Sequence, residues 1–308
     1  MERLTGRNEA APPQSNASTA APDRGQLTFP IERERFPDRN FHKGGRSFYF
    51  FDFDDNIMFL ATPIYLFEAE TGRELALSTG QFARVSHLIG KAGPYARYHL
   101  DLDEQTGSFR RFRDTRRFVE PGAIEYFVQD IAAALEHVDL AWKGPSWAFF
   151  EHAVHNGRPL AIITARGHAP QTIAAGIELL RDRRHLPCNP NYLGIYPVTH
   201  ALSRRALGDP GEQMSVPELK KAAIVDAVEM AMARFGANPH HRFGISDDSP
   251  ANVELAVAAL TELKRRYADN AFFVFDASRE PMLRLEIEPG WTVSHTSPVG
   301  QQLTLFDP

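Results

Sequence analysis

SFYFFDFDDNIMF, residues 47–59, runs a block of aromatic side chains into three carboxylates, Asp52, Asp54 and Asp55, within four positions. The first half reads as an apolar strand and the second as its abrupt acidic end. Asp52 and Asp54 stand at i and i+2, so at a strand terminus both project to the same side. A further acidic pair arriving from another strand end would complete a site for a hard divalent cation, of which Mg2+ is the expected guest. The alternative is a strand capped by turn-forming residues. The downstream chain decides between the two.

After residue 157, short apolar strands alternate with amphipathic helices. RPLAIIT (158–164) precedes a helix over 169–186, and NYLGIYPV (191–198) precedes one from about Val216 to Phe235. HRFGIS (241–246) precedes a helix from Pro250 to about Tyr267, and AFFVFD (271–276) closes the series. This alternation predicts an α/β fold, a doubly wound Rossmann-like parallel sheet with helices on both faces. In such sheets ligands bind beyond the C-terminal strand ends, where Asp52, Thr164, Asp247 and Asp248 all fall.

About a hundred residues after the first strand break the pattern. PIYLFEAETGRELAL (63–77) and YARYHLDLDEQTGSFRRF (95–112) read as hairpins around Thr-Gly turns, and 122–138 as a helix. The expected organisation is a loose N-terminal arm over 1–44, a core over 45–62 and 150–290, a smaller mixed α+β insertion over 63–149, and a tail over 291–308. The apolar share of 43%, the charged share of 24% and a formal net charge of −5 fit a globular protein with no global pull toward nucleic acid. The single cysteine, Cys188, excludes an intrachain disulfide and a cysteine metal cluster. The N-terminus lacks the apolar stretch of a signal peptide, and no run approaches the ~20 apolar residues of a membrane span. The expected location is cytoplasmic.

Asp, Thr, Lys and Asp-Asp recur in that order at strand ends or helix starts: DFDDN (52–56), ITARG (163–167), PELKKAAI (217–224) and FGISDDSPANVE (243–254). In this the sequence resembles the haloacid dehalogenase superfamily of phosphohydrolases, over residues 47–62 and 158–276. The resemblance implies an Mg2+-dependent phosphatase in which Asp52 attacks phosphorus as nucleophile and Asp54 is the general acid/base. It implies that Thr164 holds the phosphoryl group, with Ala165 and Arg166 as neighbouring substrate contacts. Lys220 or Lys221 neutralises the phosphoryl group, Lys220 being favoured because Ala223 and Ile224 follow it at the family spacing. Asp247 and Asp248 complete the Mg2+ shell with Asp52 and the backbone carbonyl of Asp54. The family usually has Thr or Val where this chain has Asn56, a residue able to hydrogen-bond within the turn and grouped here with the substrate contacts. A receiver domain uses similar residues, but the gap of more than a hundred residues before Thr164 argues against it.

The resemblance makes the insertion a cap that selects the substrate. Within it SFRRFRDTRRF (108–118) sets five arginines among three phenylalanines, suited to gripping nucleotide or nucleic-acid phosphates through Arg110, Arg111 and Arg113. The alternative is an edge strand with solvated arginines. NPHHRF (238–243) reads as a surface loop. The closing QLTLF resembles the pentapeptide with which bacterial replication and repair proteins dock on the sliding clamp, with Gln302, Leu303, Leu305 and Phe306 as contacts; residues 294–301 are expected to leave it free of the last strand, and a clasp on the chain's own core is the alternative. Two further functional readings stand beside phosphatase: a phosphotransferase or mutase, and a non-catalytic adaptor motivated by Asn56 and the tail.

Overall fold

The computed structural model of the chain describes residues 34–115, 124–137, 139–288 and 293–298. The expected tail contacts Gln302, Leu303, Leu305 and Phe306 lie outside these residues, as does most of the expected arm.

β1 (Ser47–Phe51) is central in a sheet of seven strands. Parallel to it run β5 (Pro159–Thr164) and β6 (Asn191–Pro197) on one side, and β7 (Arg242–Asp247) and β8 (Ala271–Asp276) on the other. β9 (Leu283–Ile287) and β10 (Val293–Pro298) extend the β8 edge antiparallel, giving the order β10-β9-β8-β7-β1-β5-β6. β10 corrects the expectation that residues 294–301 leave the sheet as far as Pro298, and residues 299–301 lie outside the described residues. The fold is thus α/β around a mostly parallel sheet, and the chain reverses its direction of winding at β1 and β7. Asp52 follows β1 at that switch point, where the loops diverge and open a crevice.

Side-chain alternation along the strands builds a core on each face. Phe48, Phe50, Phe243, Ile245, Phe272 and Val274 pack against α6 (Val216–Phe235) and α7 (Pro250–Arg266). Tyr49, Phe51, Leu160, Ile162, Phe273 and Phe275 share the opposite core with α2 (Tyr126–Leu135), α3 (Trp147–His155) and α4 (Pro170–Asp182). Each such side chain contributes about 2 kcal/mol of burial, so β1 is fixed from both sides and its acidic end is held still.

The insertion is not one packing unit. β2 (Ile64–Glu68), β3 (Glu74–Leu77) and β4 (Tyr98–His99) form a separate antiparallel sheet, with α1 (Thr79–Val85) following β3, over a small core of Leu66, Leu77 and Tyr98. α2 instead joins the main core through Phe127, Ile131 and Ala134. A methyl group on Gly176 of α4 would lie 2.5 Å from Phe127 Cε1, so glycine is what lets α2 and α4 meet. α3 begins before the expected core boundary at residue 150. The second expected hairpin, 95–112, is absent: only Tyr98–His99 pairs, and Arg110–Phe112 is a turn of 3-10 helix. The side-chain turns at Asp101 and Asp103, whose carboxylates accept the amides of Asp103, Gln105 and Thr106, offer the backbone a local alternative to the ladder.

At the other end, residues before 45 already pack on the core. Asp38 accepts the amide and hydroxyl of Ser47, and Phe36 donates its amide to Asn156, so the loose arm does not extend to residue 44. His241 is buried, with Nδ1 accepting the Arg46 amide, and is part of the strand entry rather than a surface loop. No helix among the described residues is long and apolar enough to cross a membrane.

Candidate functional site

Ser215 caps α6 and forms a capping box with Glu218, which fixes where the helix starts and therefore which residues face the sheet. Lys220 falls in the buried stripe with Ala223, Ile224 and Ala227. Its ammonium lies 2.9 Å from Asp52 Oδ1 and 3.0 Å from Asp247 Oδ2. Lys221, about 100° further round the helix, pairs instead with Glu262 of α7 at 3.0 Å on the surface, and plays no part in this cluster.

Asp247, ending β7, is held on its other oxygen by the Ser249 amide at 3.0 Å and Asn252 Nδ2 at 3.1 Å. Asp248 comes next in the chain, and one carboxylate oxygen from each of Asp52, Asp247 and Asp248 lies within 4.8 Å of the others. This is a hard, all-oxygen donor set of the kind that divalent cations of the Mg2+ type take. Three carboxylates against one ammonium leave two negative charges in excess. The protonation equilibria respond: burial, with repulsion from Asp247 and Asp248 set against attraction to Lys220, pushes the Asp52 carboxyl well up, and burial with repulsion from Asp247 and Asp55 takes Asp248 to about 7. Lys220 is held charged by the two carboxylates it touches, against the cost of its burial. The residues present therefore fit a divalent cation, with Asp52, Asp247 and Asp248 as its carboxylate ligands.

Asp54 is turned elsewhere. Its carboxylate receives Arg166 Nε at 2.9 and 3.1 Å and Arg166 Nη2 at 2.6 Å, and the Thr164 hydroxyl stands 3.5 Å away. Its side chain is thus not one of the cluster's ligands, which leaves the backbone carbonyl as the donor that the resemblance assigns to it. Arg166 is fully buried, lies between the rings of Phe112 and Phe127 at 4.7 and 4.8 Å, and also donates to Thr62 Oγ1 at 2.8 Å. It is built to hold Asp54 rather than to reach a substrate. Thr164 is fully buried too, its hydroxyl accepting the Arg166 amide at 3.3 Å, and Ala165 is exposed beside it.

Asn56 does not face the site. Its amide nitrogen donates to the carbonyls of Asp52 and Ser246, each at 3.0 Å, and its oxygen accepts from Ser146 at 2.7 Å and Ser246 at 3.1 Å. All its capacity is spent on tying β1, β7 and the start of α3 together. This corrects its grouping with the substrate contacts and removes it as a ground for lost activity. The three arginines of the insertion are likewise occupied: Arg110 by Glu74 at 2.8 Å and the Tyr65 ring, Arg111 by Asp130 at 3.6 Å and the Tyr126 ring, Arg113 by Glu104 at 2.8 Å. They form none of the contacts described around Asp52.

Sequence patterns do not mark Asn252, Ser249 or the loop carrying Lys143, all of which position or border the cluster. The cluster opens on the Asp248 side into a cavity of about 870 Å3, whose walls include Asp55, Phe59, Arg84 and Lys143. No protein-family model, curated protein or solved structure matches the chain.

Proposed function

We propose that the protein is a divalent-cation-dependent phosphohydrolase of the haloacid dehalogenase type, with the β2-β3-β4 sheet and α1 as a small cap. The observation that carries this reading is the convergence of Asp52, Lys220, Asp247 and Asp248 at the switch point of the sheet. Residues far apart in sequence meet there as a nucleophile-competent carboxylate, one buried cation and two further acids. A bound divalent cation, Mg2+ in the simplest case, neutralises phosphoryl oxygens and the repulsion they exert on an attacking carboxylate.

The chain's own groups supply the rest. Asn56 and the Ser246 carbonyl, which accepts the Asp52 amide at 3.0 Å, hold the backbone of Asp52 in place. Asp52 attacks phosphorus; the P–O bond to the alcohol breaks, and Asp54 gives the leaving oxygen its proton. Water then attacks the aspartyl-phosphate with Asp54 taking its proton, which returns Asp52 and releases phosphate. Lys220 stays charged throughout and fixes the Asp52 oxygen that it touches. Transfer to a second hydroxyl instead of water would use the same residues and give a phosphotransferase.

The test is hydrolysis of p-nitrophenyl phosphate and a panel of phosphate esters with and without Mg2+, with Asp52→Asn as the control. Phosphate release that requires Mg2+ and disappears in Asp52→Asn supports the assignment. Full turnover in Asp52→Asn removes the assignment of Asp52 as nucleophile, and no release from the whole panel by a folded, Mg2+-binding protein returns the chain to the adaptor reading.

A further inference from the structure

Two cations border the cavity in front of Asp248 without serving the cluster. Arg84 stands in the last turn of α1, and Lys143 lies in the loop before α3. Among the described residues neither has a carboxylate within ion-pair distance, although Arg84 is near enough to Asp55 of the same wall to draw on its charge; Arg279, the third cation of that wall, is bound to Asp276 at 2.8 Å. The positions of both are fixed by the residues just after Asp54. Lys143 pairs with Met58 in a β-bridge, the Phe59 amide donates to the Trp142 carbonyl at 2.8 Å, and the Gly144 amide donates to the Ile57 carbonyl at 2.9 Å. A methyl group on Gly144 would sit 2.3 Å from the Asn56 carbonyl oxygen, so no side chain fits in that contact. The Lys143 ammonium rests over the rings of Trp142 and Trp147 at 5.5 and 5.2 Å. On the α1 side, Thr79 of the first turn hydrogen-bonds Asp55, itself in the left-handed region at φ 57°. Phe59, 47% exposed, forms an apolar part of the same wall.

A cavity of about 870 Å3 is at the upper end of what small-molecule sites use and far exceeds one phosphoryl group. A cation held by Asp52, Asp247 and Asp248 would place the phosphoryl group at the cluster, on the Asp248 side of the cavity. Arg84 and Lys143 pair with none of these acids and border the space beyond them, where the rest of the substrate would lie. We infer that this is a subsite for a second anionic group, and that the substrates are phosphomonoesters whose alcohol portion carries another phosphate or a carboxylate. Guanidinium and ammonium both recognise either anion. The inference rests on the phosphohydrolase reading for the place of the first phosphate.

The experiment is calorimetric titration of Asp52→Asn, in Mg2+, with three ligands of one six-carbon skeleton: glucose 6-phosphate, 6-phosphogluconate and glucose 1,6-bisphosphate. The expected result is at least ten-fold tighter binding of one or both ligands that carry a second anionic group than of glucose 6-phosphate, the better of the two naming phosphate or carboxylate as that second group. Adding Arg84→Ala or Lys143→Ala should erase that preference while leaving glucose 6-phosphate unchanged; Arg84→Glu should reverse it. Both positions are exposed or half-exposed, and an unchanged thermal melt confirms that the variants fold. Equal binding of the three ligands, no binding of any, or a preference that survives all three substitutions overturns the subsite. Because binding is read in an inactive background, a wild-type protein without turnover but with the preference intact would sink the hydrolase reading and leave the subsite standing.

Discussion

Replacing Arg166 by Gln is predicted to separate two kinds of phosphate ester. Arg166 places three nitrogen-to-oxygen contacts of 2.6–3.1 Å on Asp54 and one of 2.8 Å on Thr62, between two phenyl rings, with no solvent exposure. Removing one partner of a buried pair costs about 3–5 kcal/mol. The Asp54 side chain retains 16% exposure, so water recovers part of this and we expect the low end, about 3 kcal/mol. That is a drop in melting temperature of roughly 5–10 °C, measurable while leaving the protein folded at room temperature. The catalytic effect has a different signature. With the guanidinium fork gone, the Asp54 carboxyl loses the contacts that hold it, and if Asp54 is the general acid of the proposed reaction, loss of its positioning costs about 10²–10⁴ in rate. A nitrophenolate departs without a proton, whereas an alkoxide needs one. Turnover of an alkyl phosphate should therefore fall about 100-fold or more, while that of p-nitrophenyl phosphate falls less than about 10-fold. Arg166→Lys keeps the charge but not the two-pronged, ring-stacked geometry, and should lie between. Equal losses on both esters would refute the positioning role and reduce Arg166 to a structural pair.

Three further outcomes rest on the same geometry. Because burial and neighbouring carboxylates hold Asp248 at about 7, and a ligand must be ionised to bind a cation, Mg2+ affinity should weaken about ten-fold between about pH 8 and about pH 6; a dissociation constant independent of pH, measured by calorimetry at those two values, would count against Asp248 as a ligand. His168 is buried, without a hydrogen-bond partner among the described residues, and burial together with repulsion from Arg166 and His200 lowers it to about 2. Its folded value lies below the unfolded one, so stability is fully present above about pH 6.5 and falls as pH drops, by about 1.4 kcal/mol per unit; urea melts at about pH 6.5 and about pH 5 should show this slope in the wild type and a shallower one, by about one proton, in His168→Gln, and parallel slopes would disprove it. Gly176→Ala should destabilise the whole protein by about 1–2 kcal/mol through overpacking against Phe127, and an unchanged urea midpoint would mean that α2 is not part of the main core.

The parts of the fold legible in the sequence are those where local and long-range preferences agree. AFFVFD over 271–276 and the helix from Val216 to Phe235 form with the expected bounds, because aromatic or β-branched runs and a capping box act within a few residues. The order of acidic and basic residues is legible for the same reason: each stands at the end of a strong local element. What is not legible depends on partners distant in the chain. Arg110, Arg111 and Arg113 of SFRRFRDTRRF look available in the sequence because Glu74, Asp130 and Glu104, which pair with them, carry no local mark as their partners. α2 reads as part of an insertion since position in sequence, not packing, is all that the pattern offers. β10 has a weak strand pattern ending in Pro298, which a sheet accepts only at its edge or at a strand end, and its pairing with β9 supplies what its composition lacks.

Arg166 and Asn56 show the same division at the site itself. Nearness in sequence to Thr164 and Asp54 groups both with substrate contacts, and in the folded chain both direct their hydrogen bonds inside the protein, with Arg166 Nη1 alone of these atoms buried without a partner among the described residues. The residues that do converge are the ones that stability alone would disfavour. Asp52, Asp247 and Asp248 with a single Lys220 form a buried cluster with excess charge, and buried ionic groups of this kind are weak sources of folding free energy that apolar replacements often improve upon. Two of its carboxyls titrate above their ordinary range for that reason. The scaffold nonetheless holds them in place: a capping box sets the phase of α6, Asn252 and the Ser249 amide hold Asp247, and Asn56 clips the two strand ends that carry the acids. Where local rules of stability are broken while the surroundings are built to keep the breach in place, the reason is to be sought in chemistry. In this chain the breach is an excess of two negative charges at a strand-end crevice, the charge that one divalent cation would cancel.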